Sequence, residues 1–187
     1  MPENQLLAAP AGLDAAIAWA GRHWLLLLNS GAALYAGLPW LSPIAKATGH
    51  PLLGELLFRI YTPLCHQLPE RSFVCYGHQV AFCHRCAAMY TAIVVAGLLF
   101  ALVRRWVRPA SLKVASLLLL PMLLDGGSHL VDDVFGLGWR GGGDAIGTLN
   151  FWLRMITGVL VGVAAFVAIY PRLERDVGGA FAPAPRQ

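Results

Sequence analysis

Four long apolar runs, almost free of charged residues, constrain this chain more than any other feature. They cover Trp24 to Trp40, Phe82 to Val103, Leu112 to Val131, and Phe151 to Tyr170. A helix needs roughly 20 apolar residues to cross the hydrocarbon core of a bilayer, and the last three runs reach that length. Charged residues make up only 13% of the sequence, whereas a soluble domain carries about a quarter. The sequence therefore predicts an all-α integral membrane protein with four transmembrane helices.

The runs divide the chain into three regions. Residues 1–23 are expected to form an N-terminal leader that could fold as an interfacial helix. Residues 24–170 are expected to form a single membrane domain. Residues 171–187, rich in glycine, proline and alanine, are expected to form a disordered C-terminal tail.

The segments around the runs carry further helix signals. Proline cannot donate a helical hydrogen bond, so Pro39 and Pro43 are expected to close the first run and Pro171 the fourth. Between the first and second runs, apolar residues from Pro51 to Leu64 recur at helical spacing. This pattern predicts an amphipathic helix on the membrane surface.

A dense basic cluster sets the predicted orientation in the cell membrane. It consists of Arg104, Arg105, Arg108 and Lys113, between the second and third runs. Short cytoplasmic loops carry an excess of Lys and Arg, so this loop and both termini are predicted to be cytoplasmic. The loop holding Asp132, Asp133 and Asp144 then lies on the extracytoplasmic face with the cysteine segment described next. A net charge of only +4, placed in short loops, argues against a nucleic-acid partner and for a lipid bilayer.

The segment from Cys65 to Tyr90 holds all four cysteines of the chain and three of its six histidines. Cys83 and Cys86 form a C-x-x-C at the start of the second run. The free N–H groups and the dipole at the start of a helix favour a thiolate there. Cys65 supplies a third sulfur. The sequence thus predicts a Cys/His-rich extracytoplasmic loop with a chemical role.

A metal ion is the first interpretation of this loop. Three cysteines and one histidine form a common closed zinc set. The fourth ligand could come from His66, His78 or His84, and we favour His66. The predicted zinc ligands are therefore Cys65, His66, Cys83 and Cys86. An iron–sulfur cluster is the alternative metal cofactor for a sulfur-rich set.

A redox centre is the second interpretation. The Cys83 and Cys86 pair could exchange electrons with Cys65 or Cys75, as in a quinone-linked thiol–disulfide oxidoreductase. Disulfides persist in extracytoplasmic compartments, which suits this layout. The histidines of the loop favour the metal, because disulfide exchange does not need them.

Polar residues recur at three- or four-residue intervals along the third and fourth runs, which places them on one face of each helix. The predicted polar pocket consists of Asp125, His129, Asn150 and Arg154. A charge within a span costs on the order of 3 kcal/mol, so Asp125 and Arg154 are expected to face inward and to contact each other. The pair could be a structural link between two helices, with Gly158 and Gly162 allowing close packing, or part of a polar substrate or proton site.

These residues resemble a family of prokaryotic membrane proteins known as domain of unknown function 2085. The resemblance rests on CHQLPERSF (65–73), CHRCAAMY (83–90), LDGGSH (124–129) and N-x-x-x-R-x-x-T-G (150–158), and extends over about residues 24–170. It implies a membrane protein with several spans and the signature positions Cys65, His66, Cys83, Arg85, Cys86, Asp125, Asn150 and Arg154. The chain departs from the family pattern at Ala88, where the pattern has glycine, and at His129, where it has glutamine.

The resemblance implies no activity, so the expected function follows from the residues. We expect a membrane protein with a Cys/His metal site beside an Asp/Arg pocket, which could act as a membrane-embedded metalloenzyme on a small polar or lipid-borne substrate. The alternatives are the quinone-linked oxidoreductase and a transporter of small solutes or ions. Neither a substrate nor an oligomeric state follows from the sequence.

Overall fold

The fold is known from a computed structural model that describes residues 11–181. Six helices lie in this range: α1 (Ala11–Arg22), α2 (Trp24–Ala47), α3 (Pro51–Ile60), α4 (His84–Val103), α5 (Leu112–Phe135) and α6 (Leu149–Leu173). A π-helical turn, Glu174–Gly178, extends α6. Helices α2, α4, α5 and α6 are long and apolar enough to cross a membrane. The predicted fold class, a helical membrane protein with four spans, is confirmed.

Two spans continue past the prolines that were expected to end them. Proline removes one helical hydrogen bond and leaves the carbonyl four residues earlier without its donor. In α2, the carbonyl left by Pro39 belongs to Tyr35, and it accepts a 2.8 Å hydrogen bond from the Tyr61 hydroxyl. In α6, the carbonyl left by Pro171 belongs to Val167 and accepts one from the side chain of Arg172 at 3.0 Å. A side chain thus replaces the missing backbone donor in each helix.

The first part of the expected tail is helical in the structure. Residues 171–181 continue α6 through the π-helical turn and one further short helical stretch. Arg172 also donates to the carbonyl of Ala110 at 2.6 Å, which ties this extension to the loop before α5. Residues 182–187 and the first ten residues of the predicted leader lie outside the described range.

Helix α6 packs closely against α4, and two glycines make the contact possible. A Cβ atom on Gly158 would lie 2.5 Å from the backbone oxygen of Arg85, and one on Gly162 would meet the backbone oxygen of Met89. The same Cβ on Gly158 would lie 3.0 Å from the Cβ of Ala88. Glycines at this spacing allow two helix backbones to approach. The glycines of α6 therefore permit the close contact between the two helices. Helix α4 can then carry Ala88 at the position where the family pattern has glycine.

The surface helix α3 is shorter than expected and ends at Ile60. It docks on the end of α2, where the Ser42 hydroxyl donates to the carbonyl of Gly54 at 2.8 Å and Lys46 pairs with Glu55 at 3.1 Å. Three of its four leucines, Leu52, Leu53 and Leu56, are exposed, and Leu52 is 86% exposed. An apolar outer face is what a helix lying against lipid requires.

The cysteine segment is partly regular. It contains a two-stranded antiparallel sheet, β1 (Ser72–Cys75) and β2 (His78–Cys83), where we expected an irregular loop. Tyr76 and Gly77 connect the strands, and both have positive φ angles, 52° and 76°. Tight hairpins need such residues, because only this twist matches that of the strands. Helix α4 follows β2 directly and begins at His84, two residues later than expected.

The polar parts of the protein gather at two opposite ends. At one end, Arg104 lies 3.8 Å from Glu174, and Gly21 of α1 packs against Phe181. The described part of the N-terminal region, the basic loop and the extension of α6 therefore meet there. At the other end, Arg71 of the cysteine segment pairs with Asp144 of the acidic loop at 2.8 Å. The cysteine segment and the acidic loop thus share one end, as the sequence predicted.

Candidate metal centre and polar network

Three cysteines meet at the junction of β2 and α4. The sulfur atoms of Cys65, Cys83 and Cys86 all lie within 4.8 Å of one another, and we call this group the sulfur cluster. Cys83 is the residue immediately before α4, and Cys86 lies in its first turn. Ligand sulfurs around a tetrahedral zinc ion lie about 3.8 Å apart, given a Zn–S bond of about 2.3 Å. The spacing of the three sulfurs therefore fits a zinc ion.

The position of Cys65 depends on a buried glutamine. The amide of Gln67 donates to the carbonyls of Phe58 at 2.8 Å and Ala81 at 2.9 Å, so it joins the end of α3 to β2. The backbone of Gln67 has a positive φ of 49°, which turns the chain toward the strand. Cys65 is thereby held beside Cys83, whose backbone N–H donates to the Cys65 sulfur at 3.2 Å. Such N–H donors stabilise a negative sulfur.

The thiols share their protons unequally. Hydrogen bonds from Cys65 and then Cys86 lower the pKa of Cys83 to about 2. The pKa of Cys65 is raised, first because its thiol is the partner in the bond with Cys83. Cys83 is therefore the thiol of the sulfur cluster that loses its proton most readily. A thiolate is the form of cysteine that binds metals.

The structure brings together three of the four predicted metal ligands. His66 is exposed and lines a small cavity beside Cys83, outside the sulfur cluster. His84 is 1% exposed and packs against Phe73 and Phe151, with ring centroids 4.6 and 4.9 Å away. Its two ring nitrogens have no hydrogen-bond partner among residues 11–181.

Cys75 stands apart from the other cysteines. It pairs with His78 at the tip of the hairpin and is not a member of the sulfur cluster. All four cysteines carry free thiols. Of the four cysteines considered for redox chemistry, Cys65, Cys83 and Cys86 therefore lie close together in space, whereas Cys75 lies apart from them.

A polar network lies next to the sulfur cluster, at the membrane end of α5 and α6. All four predicted pocket residues belong to it and are buried: Asp125, His129, Asn150 and Arg154. Asp125 accepts hydrogen bonds from Arg85 and, at 2.9 Å, from Arg140. Arg154 pairs with Asp144 and contacts the Nε2 atom of His129 at 3.1 Å.

The predicted contact between Asp125 and Arg154 is wrong. Helix α5 continues to Phe135, so Asp125 lies ten residues from the helix end, whereas Arg154 lies five residues from the start of α6. At 1.5 Å per residue, the two backbones differ in depth by about 7 Å. Arg154 therefore reaches the carboxylate of the loop, Asp144, and Asp125 is reached by the arginines of α4 and the loop.

The glycine-rich loop between α5 and α6 is held by this network. The Asp132 carboxylate accepts the backbone N–H groups of Trp139 at 2.8 Å and Arg140 at 3.0 Å. The side-chain amide of Asn150 donates to the carbonyls of Arg140 and Gly143, both at 3.0 Å. These bonds fix the loop so that Arg140 and Asp144 both face the helices.

Asp144 is the carboxylate that joins the cysteine segment to α6. It pairs with Arg154 and, at 2.8 Å, with Arg71. Burial alone would raise the pKa of Asp144, but the hydrogen bonds from these two arginines outweigh it and hold the pKa below its ordinary value. The carboxylate is therefore ionised and carries two salt bridges.

Sequence reasoning missed much of this network. Arg71 and Arg140 were not among the predicted site residues, although they pair with Asp144 and Asp125, whose side chains are 10% and 4% exposed. Arg85 was named as a signature position of the family pattern, and it pairs with Asp125. The family pattern was a usable signal for Arg71 and Arg85, because both belong to the matching motifs.

An apolar groove of about 550 Å³ runs along the outer side of α4 and α6. It is lined by Trp40, Phe73, and small or branched residues of the two helices. Ala87, the residue after Cys86, stands at one end of the groove.

The fold and the site define a four-span membrane protein with a cluster of three thiols and an arginine-rich network at one end. The family described as "Predicted membrane protein (DUF2085)" matches residues 65–168, and the chain belongs to this family. The matched range contains the whole sulfur cluster and the pocket residues on α5 and α6. A relative, "Uncharacterized protein MJ1492" of Methanocaldococcus jannaschii, is 26% identical over 160 residues, which cover 80% of this chain and 92% of the relative. No solved structure matches the chain.

Proposed function

We propose that the protein binds a zinc ion through Cys65, Cys83 and Cys86 at the extracytoplasmic surface of the cell membrane. The observation that carries this proposal is the mutual approach of the three sulfurs to within 4.8 Å. They come from three separate parts of the chain: the turn after α3, the end of β2 and the first turn of α4. A single ion would hold these parts together.

The donor set favours zinc over the other metal cofactors considered. Sulfur ligands select soft or borderline metals, which disfavours calcium and magnesium. An iron–sulfur cluster is held by four cysteines, and Cys75 lies away from the other three. Zinc is also inert to redox change, which suits a site on the oxidising side of a membrane.

Three protein ligands leave one position on the ion for another group. A zinc ion bound in this way acts as a Lewis acid toward a water molecule or a substrate oxygen. His66 lies at the cavity beside Cys83, where a modest movement of the exposed segment could make it the fourth ligand. With His66 as the fourth ligand the zinc site would be structural. With the fourth position open to water, the site could hydrolyse a small polar or lipid-borne substrate.

The proposed orientation places the basic end of the protein in the cytoplasm. It rests on Arg104, Arg105 and Arg108 in the short loop after α4. A cysteine introduced as Arg108→Cys should resist a thiol reagent that cannot cross the membrane, whereas one introduced as Tyr76→Cys at the hairpin tip should react from outside. Labelling of position 108 from outside would overturn the orientation.

Elemental analysis of the purified full-length protein tests the zinc site. We expect about one zinc ion per chain in the wild type and in Cys75→Ser, which serves as a matched control because Cys75 lies outside the sulfur cluster. Cys83→Ser removes the thiolate and should lose the zinc while the protein still elutes as a folded species. Equal, trace amounts of metal in all three proteins would end the proposal.

The second candidate function is a quinone-linked thiol–disulfide oxidoreductase. The observation in its favour is the apolar groove, whose lining includes Ala87, the residue next to Cys86, and where a quinone ring could lie. In this reaction the Cys83 and Cys86 thiols would form a disulfide while the quinone takes up two electrons and two protons to become a quinol. Wild-type protein that contains no metal and forms this disulfide on adding a quinone would favour the oxidoreductase over the zinc protein.

A further inference from the structure

A small cavity lies between the cysteine segment and the first two turns of α4 and α6. Its volume is about 90 Å³, several times what a single water molecule needs. It is lined by Arg71, Arg85, Arg154, His66, Leu68 and Cys83, and we call it the arginine cavity. It is roomy enough for a small polar ligand, and its wall is strongly basic.

The charges around the arginine cavity do not balance. Four arginines belong to the polar network, at positions 71, 85, 140 and 154, against the carboxylates of Asp125 and Asp144. Including Asp132, whose carboxylate binds backbone N–H groups of the loop, still leaves one more positive charge than negative. No carboxylate lines the cavity within the described part of the chain. The lining itself holds three arginines against Cys83, so the wall of the cavity is positive whether Cys83 is a thiol or a thiolate.

This surplus sits in a poorly hydrated place. The side chain of Arg154 is 4% exposed and that of Arg85 is 20% exposed. Guanidinium charges that have lost water need partners, because removing a charge from water is costly unless it is paired. Two arginines share each of the carboxylates Asp125 and Asp144, so a negatively charged ligand in the cavity would offset the remaining positive charge.

Hydrogen-bond donors are also left over. The buried Nε–H of Arg85 has no partner among residues 11–181. Arg71 contacts Asp144 through its Nε atom, so its two terminal nitrogens are available to another acceptor. Guanidinium groups present several N–H donors in a planar fork that matches the oxygens of phosphate or carboxylate.

We propose that the arginine cavity binds a phosphate group, held by Arg71, Arg85 and Arg154. Three guanidiniums converging on one cavity suit a tetrahedral dianion with oxygens on all sides better than a planar carboxylate with one charge. The cavity lies at the end of the protein where the membrane surface is expected. The phosphate could therefore be free in solution or be the terminal phosphate monoester of a lipid such as phosphatidic acid.

Binding measurements on the full-length protein in detergent test the site with inorganic phosphate. Titration at constant ionic strength, with chloride as the reference anion, should show saturable binding by wild type. Arg71→Gln is the informative variant, because Arg71 is the most exposed of the three arginines and the protein should still fold. Losing one charge-assisted bond should weaken phosphate binding by about 10- to 100-fold. Arg59→Gln, on the exposed face of α3, is the matched control and should bind as wild type does.

A second arm uses nanodiscs made of phosphatidylcholine with or without phosphatidic acid. Binding of phosphatidic acid that Arg71→Gln weakens and Arg59→Gln does not, without binding of inorganic phosphate, would support the site with a lipid as its source. Binding of inorganic phosphate with the same dependence would support a soluble ligand. The proposal is overturned if neither compound binds, or if Arg71→Gln and Arg59→Gln behave alike in both arms. Zinc is measured on the same samples, so a failed metal site and a failed phosphate site give different results.

Discussion

Asp144 should be among the most sensitive positions for stability. It is the carboxylate that pairs with both Arg71 and Arg154, and its side chain is 10% exposed. Replacement by asparagine, Asp144→Asn, keeps the size and removes the charge. Arg154, almost fully buried, would then lose its carboxylate partner while remaining charged.

The structure sets the expected magnitude. Removing one partner of a buried ion pair costs about 3–5 kcal/mol, because the other charge stays buried and unpaired. The lower end applies here, since Arg154 keeps its contact with His129 and Arg71 is 28% exposed to solvent. We therefore expect Asp144→Asn to lower the free energy of unfolding by about 3 kcal/mol.

The assay is a double-mutant cycle, with unfolding followed in detergent. Asp144→Asn, Arg154→Gln and the double variant are compared with the wild type, and the double variant should recover at least about 1 kcal/mol relative to the sum of the single changes. Asp133→Asn is the matched control, because Asp133 is exposed near the end of α5, and it should change stability by less than about 0.5 kcal/mol. Additive single changes, or equal effects of Asp144→Asn and Asp133→Asn, would refute the reasoning.

The same carboxylate predicts a dependence on pH. Its pKa is lowered in the folded protein from an ordinary value of 3.8. A lowered pKa means that the stabilisation is fully present above pH 3.8 and is lost as the pH falls through the folded value. The difference in stability between wild type and Asp144→Asn should therefore be constant near neutral pH and shrink in acid. A difference that grows in acid would contradict this.

Two further predictions concern packing and hydrogen bonding in the spans. Gly158→Ala places a Cβ atom 2.5 Å from a backbone oxygen of α4 and should cost about 1–3 kcal/mol, whereas Gly127→Ala in α5 meets nothing within 4 Å and should not destabilise. If Gly158→Ala and Gly127→Ala unfold alike in detergent, the close contact between α4 and α6 at Gly158 is refuted. Tyr61→Phe leaves the carbonyl of Tyr35 without its donor and should cost about 1–3 kcal/mol. Tyr76→Phe at the exposed hairpin tip should be neutral, and an equally neutral Tyr61→Phe would disprove the role of this bond.

The spans and the sulfur cluster could be predicted from the sequence for physical reasons. A helix in lipid must be apolar along its length, so composition alone reveals it. A C-x-x-C at a helix start places two sulfurs one turn apart whatever the rest of the fold does. Cys65 could be assigned to the same group because it shares the polar segment with Cys83 and Cys86.

The salt-bridge partners of the charged residues could not be predicted from the sequence in the same way. The path of the glycine-rich loop decides which carboxylate meets Arg154, and glycine permits many paths. The bonds of Asp132 and Asn150 that fix this path connect residues seven to ten positions apart in a loop without periodicity. The continuation of α2 past Pro39 was hidden for a similar reason, since its replacement donor comes from Tyr61, 26 residues from the acceptor.

The polar network also has a consequence for the order in which the protein is made. Arg71 and Arg85 precede α5, whereas their partners, Asp144 and Asp125, come later in the chain. While the protein is being synthesised, the first half therefore enters the membrane with arginines that have no carboxylate yet. Insertion of the α5 and α6 hairpin supplies Asp125 and Asp144 together. The salt bridges of the polar network therefore form in the last step of assembly. A nascent chain stopped before α5 would display unpaired arginines near the bilayer and be open to quality-control proteases.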